Sequence, residues 1–101
     1  MNESSADLPI AKVIIACNAY IAFVRDAMAK HWDEAERKDG FVHDKLETEN
    51  RESYVKRFTD RNSADEQRLL ALCRAALSGG ETKIRVSITD FEGIEKFYPS
   101  D

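Results

Sequence analysis

The sequence predicts a mostly helical α+β fold: a long N-terminal helix, two shorter helices, and a β-strand or hairpin at the C-terminal end. Three observations predict it. Apolar residues recur at helical spacing across residues 9–38 and again across 64–78. Gly79-Gly80 stops the second of these runs, as glycine does when it takes a left-handed helix cap. Beyond it, Thr82, Ile84, Val86 and Ile88 alternate with Lys83, Arg85, Ser87 and Thr89, the period-two pattern of a half-buried strand.

The first helix spans about 9–38. Pro9 suits a first helical position, where its missing N–H would have no partner anyway. Arg37 and Lys38 favour the negative end of the helix, and Gly40 suits the cap beyond it. Ile10, Ile14, Cys17, Ile21, Val24, Met28, His31 and Ala35 are spaced alternately by four and three, which makes one heptad seam. Trp32 lies at its edge. Ile15, Ala19, Ala22 and Phe23 form a stripe on the back of the same helix, more apolar surface than a single neighbour needs. Either the C-terminal segment covers this stripe or a second protomer does, with the two alanines allowing close helix approach.

The second helix, about 45–60, is thinly apolar. Asp44 with Glu47 matches a capping box, and Glu47–Arg51 and Glu52–Lys56 are favourable pairs one turn apart. The third, about 64–78, opens on a second capping-box pattern, Ser63-Ala64-Asp65-Glu66, and presents Leu69, Leu70, Leu72, Cys73, Ala76 and Leu77. The segment 82–98 reads as a hairpin turning at Asp90-Phe91-Glu92-Gly93. Its rival is a strand followed by a short helix carrying Phe91, Ile94 and Tyr98, which would leave the strand to pair with another chain.

A chain of 101 residues fits one domain, with residues 1–7, short and polar, as a disordered tail. The charged fraction of 34% is high, the apolar fraction of 43% ordinary, and the net charge −4. The acidic N-terminus lacks the positive charge of a signal peptide. The apolar run is interrupted by Lys12, Asn18 and Arg25-Asp26, too soon for a membrane span of about 20 residues. Cys17 and Cys73 sit in apolar patterns, as reduced core thiols do. A cytoplasmic protein without membrane contact is expected.

Nothing in the spacing points to a cofactor or a metal. His31 and His43 lack the partners of a zinc site, and Ser78-Gly79-Gly80-Glu81-Thr82-Lys83 follows a helix instead of a strand, the reverse of a phosphate-binding loop. Asp33 with Glu36, and Glu34 with Arg37 and Lys38 nearby, fall on the most solvated part of the first helix, away from the concave apolar pocket that acid–base catalysis usually needs to displace a carboxyl pKa. A small enzyme is therefore the third-ranked reading. Residues 51–74 carry a net +2 and interleave basic with aromatic side chains, a composition suited to protein contact or to a nucleic-acid backbone. The favoured reading is a small acidic protein-interaction module (an adaptor, an inhibitor or an accessory protein of a mobile element). It would bind another protein through His31, Trp32, Tyr54, Arg57, Phe58 and Arg61, and form a homodimer through Ile15, Ala19, Ala22 and Phe23. The alternative is a nucleic-acid-associated regulator using 51–74.

Overall fold

The protein is described by a computed structural model covering residues 4–100. It is α+β and mostly helical. Strand β1 (Ser5–Pro9) runs directly into helix α1 (Ile10–Asp39); helices α2 (Arg51–Asn62) and α3 (Ala64–Ser78), strand β2 (Lys83–Ser87), helix α4 (Ile88–Ile94) and a 3-10 turn at Glu95–Phe97 follow. The chain divides into two compact units. One comprises the residues up to Tyr20 and those from Ala64 onward, the other Ile21–Ser63.

α1 ends as its sequence predicts, but Pro9, expected as its first residue, closes β1 instead and the helix begins at Ile10. Gly40 adopts a positive φ of 75° and its N–H donates to the Glu36 carbonyl at 2.9 Å, the single bond of a left-handed cap. The buried line along α1 drifts off the heptad seam. Ile10, Cys17 and Val24 are buried, but Trp32 takes the place expected for His31, which is exposed. A straight helix lags a seven-residue repeat by about 20° per heptad. After three heptads from Ile10 the neighbouring position, Trp32, points closer to the original direction than His31 does.

The N-terminal segment is where the structure departs most from expectation. Ser5–Pro9, expected within or beside a disordered tail, pairs antiparallel with Lys83–Ser87, with Ala6 opposite Val86 and Leu8 opposite Ile84. Residues 1–3 of that tail lie outside the described residues. The C-terminal hairpin does not form. The Ser87 hydroxyl accepts from the Asp90 N–H at 3.2 Å and starts α4. β2 needs no partner from another chain, because β1 satisfies its inner edge. Backbone polar groups demand a partner, and either solution meets that demand.

α2 starts later than expected, at Arg51. Its capping box is Asn50 with Ser53: the Asn50 side chain accepts from the Ser53 N–H at 2.9 Å, and the Ser53 hydroxyl oxygen accepts from the Asn50 N–H at 3.2 Å. Asp44–Asn50 forms turns instead of helix. α3 ends in a Schellman arrangement. Glu81 N–H reaches back to the Ala76 carbonyl at 2.9 Å, Gly80 N–H to Leu77 at 3.0 Å, and Gly80 has φ 83°. Of the apolar positions on α3, Leu69, Leu70 and Cys73 are buried, whereas Leu72 and Leu77 are exposed.

The first unit has its core at Ile10, Val13, Ala16, Cys17, Leu69, Leu70, Cys73, Val86 and Ile94. At Gly93 on α4 a Cβ would stand 3.3 Å from a carboxylate oxygen of Glu66 on α3, so a side chain there would require the Glu66 carboxylate to shift by a few tenths of an ångström.

The ladder's phase makes a test. Ile88 N–H donates to Ser4 and Ile10 N–H to Thr82, so even-numbered β1 residues face β2 and odd-numbered ones face outward. Ala6→Pro removes an inward donor and should lower stability by about 1–3 kcal/mol; Ser5→Pro removes an outward one and should cost clearly less. Equal thermal midpoints by circular dichroism for the two variants would refute the pairing.

Candidate functional site

The second unit is built on aromatic packing. Trp32, Val42, Tyr54 and Val55 form its buried core, with Met28, Ala29, Ala35 and Phe58 against it. The Trp32 and Tyr54 rings are 5.1 Å apart, and Tyr54 and Phe58 4.7 Å. Tyr54 and Phe58 lie one turn apart on α2, so one face of that helix supplies both. Burial raises the Tyr54 phenol above its ordinary pKa, with the Asp44 charge adding to the effect.

Arg57 joins this core to the loop before α2. Its Nε and one terminal nitrogen donate to the two Glu49 carboxylate oxygens at 2.7 and 2.8 Å, and the same terminal nitrogen donates to the Asp44 carbonyl at 3.0 Å. Glu49 also accepts from the Leu46 N–H at 3.0 Å. The Arg57 hydrogen bonds, reinforced by the Leu46 N–H, hold the Glu49 carboxyl down at about 2. The guanidinium lies 4.4 Å from the centre of the Phe58 ring, close enough for a cation–π contact.

The six sequence-predicted binding residues are brought together, but not all on the surface. Trp32 and Tyr54 are buried, 6% and 1% exposed, and their rings serve the core. Phe58 and Arg57 are half-buried. The outward members are His31, stacked on Tyr54 at 6.3 Å and 8° between planes, and Arg61, 5.9 Å from the Phe58 ring. Sequence reasoning missed Phe41 and Leu46, which are 55% and 57% exposed beside this cluster in sequence. Their signal was weak, since isolated apolar residues in a polar loop follow no period.

Charge pairing neutralises much of segment 51–74. Arg51 contacts Asp33 at 2.9 Å, Lys56 contacts Asp60 at 2.6 Å, Arg57 contacts Glu49, and Arg68 reaches both Asp90 oxygens at 3.0 Å. Four of its six basic side chains thus face carboxylates. The pair with Arg51 lowers the Asp33 pKa.

In the first unit, Cys17 and Cys73 are buried free thiols. Burial, with smaller contributions from Cys73, Glu66 and Asp90, pushes the Cys17 thiol up to about 12; burial also raises Cys73. Glu66 is buried, and desolvation raises its carboxyl above the ordinary value. Ala6, Leu8, Val86, Ile88 and Phe91 line an apolar depression of about 170 Å³ on one face of the sheet. Among the described residues, no three His, Cys, Asp or Glu side chains converge as a metal ion would require. Among those residues, too, no helix is long and apolar enough to cross a membrane.

The stripe Ile15, Ala19, Ala22 and Phe23 is part-exposed. Ile15 and Phe23 are 55% and 54% exposed, Ala22 is exposed and Ala19 half-buried. The C-terminal segment forms β2, α4 and the 3-10 turn. Tyr20 meets Phe97 edge to face at 6.0 Å. No protein-family model, curated protein or solved structure matches this chain.

Two outcomes follow from these side chains. Glu49 has a depressed pKa when folded, so its contribution is full above the ordinary value of 4.5 and fades as pH falls toward about 2. Glu49→Gln should lower the melting temperature at pH 7, and its gap to the parent should close across that interval; a gap constant down to pH 2 would refute the Arg57 anchor. The two cysteines should resist a thiol reagent at pH 8 in the folded protein and both react on denaturation, as read by absorbance of the released chromophore.

Proposed function

We propose that this chain is a small, non-enzymatic, cytoplasmic protein-interaction module, acting by binding another protein and by associating with itself. The observation that carries the reading is the exposure of Ile15 and Phe23 on one face of α1. Burying such a side chain is worth about 1.5–3 kcal/mol. The chain is 34% charged and has no shortage of polar residues to place there. Exposed apolar surface grouped on one face marks a contact surface.

Two further observations support it. The displaced carboxyls Glu49 and Asp33 are explained by their arginine partners, and the displaced thiols by burial; each shift has a structural cause. The pairing of Arg51, Lys56, Arg57 and Arg68 with carboxylates leaves little concentrated positive field for phosphates, which favours protein over nucleic acid as the partner.

A photo-crosslinking phenylalanine analogue at position 15, 23, 41 or 72 should yield protein adducts in the native host well above those from position 34, on the solvated end of α1. Yields equal to that control at all four positions would overturn the reading. Retardation of DNA or RNA that weakens steeply with salt would replace it with nucleic-acid binding.

A further inference from the structure

The two-stranded sheet leaves one edge of β1 unpaired beside an apolar depression, both within the first unit. Even-numbered β1 residues turn their backbone groups toward β2, so Ser5 and Asp7 each turn an N–H and a carbonyl away from it. Among the described residues, no backbone group pairs with these. The Ser5 and Asp7 side chains stay on the polar face, where Arg85 donates to the Ser5 hydroxyl at 3.2 Å and meets the Asp7 carboxylate at 3.4 Å. On the opposite face Ala6, Leu8, Val86, Ile88 and Phe91 line the depression of about 170 Å³. Val86 on β2 is buried, whereas Ala6, opposite it on β1, is exposed. The depression is therefore open over β1, where the single methyl group of Ala6 leaves room above the strand.

We infer that this edge takes an extended segment of another protein as a third strand, with one aliphatic or aromatic side chain of that segment seated over Ala6. The inference rests on the proposed protein-binding reading and names the form of the partner at this sheet. Strand addition draws affinity from main-chain hydrogen bonds and selectivity from alternate side chains. In an antiparallel third strand, the residue opposite Ala6 points to the apolar face and its neighbour, opposite Asp7, to the polar one. A cavity of ~150 Å³ holds a benzene-sized group, so the depression admits one large side chain. Its lining is apolar, so that side chain is apolar too. Among the described residues, Asp7 meets Arg85 on its β2 side and no cation on the other, so a lysine or arginine is favoured opposite it.

A second copy of the chain fits this edge poorly. Paired antiparallel through β1, the register that seats Leu8 of one copy over Ala6 of the other also sets Asp7 against Asp7. It also faces Ser5 with Pro9, which has no N–H to donate. The neighbouring register avoids that repulsion but sets Ala6 against Ala6 and leaves the depression unfilled. Charge and shape together select a strand that alternates apolar and basic residues.

The probe is a short capped peptide with one central leucine, a lysine beside it and threonine elsewhere. In amide-resolved magnetic resonance spectra it should shift the Ser5 and Asp7 N–H signals and slow their exchange with water, saturating between micromolar and millimolar concentration. Glycine in place of the leucine should weaken binding about tenfold or more. Glutamate in place of the lysine should weaken it about threefold, a difference that salt erases. Ala6→Leu fills the depression and Ser5→Pro removes an outward N–H; each should weaken binding about fivefold or more while helicity is kept. N-methylation of the peptide amides that face β1 should abolish binding to the unaltered chain. No shift of the Ser5 and Asp7 signals at millimolar peptide, or binding indifferent to both the leucine and the N-methylation, would overturn strand addition. Crosslinked protein adducts from positions 15, 23, 41 or 72 would in that case still uphold the broader binding reading.

Discussion

The ladder between Ser5–Pro9 and Lys83–Ser87 sets the direction of the two helices that leave it. β1 passes into α1 without an intervening loop, and β2 passes into α4 with only the Ser87 cap between them. Two strands alone are marginally stable, and a sheet this small needs a packed face. Its even-numbered face supplies one, with Val86 buried and Ile84 and Leu8 partly so, while Asp7 and Arg85 pair across the polar face at 3.4 Å. The contacts of Ser5–Pro9 are therefore structural, although nothing in the composition of that segment announces it.

The second unit solves a different problem. Its helix α2 is short of apolar residues, and the loop before it has no regular secondary structure to hold it. Stacked aromatics compensate for the first shortage, since each ring buries a large area with few atoms to order. The Arg57–Glu49 bridge addresses the second, fastening the loop by two hydrogen bonds to one carboxylate and a third to the Asp44 carbonyl. Bidentate geometry is what makes this arginine an anchor where a lysine would be only a charge. The basic and aromatic residues that resemble a binding surface in sequence are thus largely committed to holding their own unit together.

Surface left over from folding is then the better guide to function. The large apolar side chains left exposed are Ile15 and Phe23 on α1, Leu72 and Leu77 on α3, Phe41 and Leu46 in the loop, and Ile88 at the start of α4.

Local rules were legible in the residues themselves. The limits of α1, the glycine caps at Gly40 and Gly80, the β2 alternation and the identity of the back stripe follow from spacing and backbone preference, which act within a few residues. Tertiary structure decided the rest. β1 exists because β2 needs a partner eighty residues away, and its own five residues carry little strand signal. The choice of α4 over a hairpin followed from that pairing, because a satisfied β2 no longer requires a returning strand. Likewise, Trp32 replaces His31 in the core through a helical drift that accumulates over three heptads, and Arg57 turns inward because Glu49 waits there. In each case the deciding energy comes from a partner distant in sequence or from a small mismatch summed along a helix, and neither is visible in a local window.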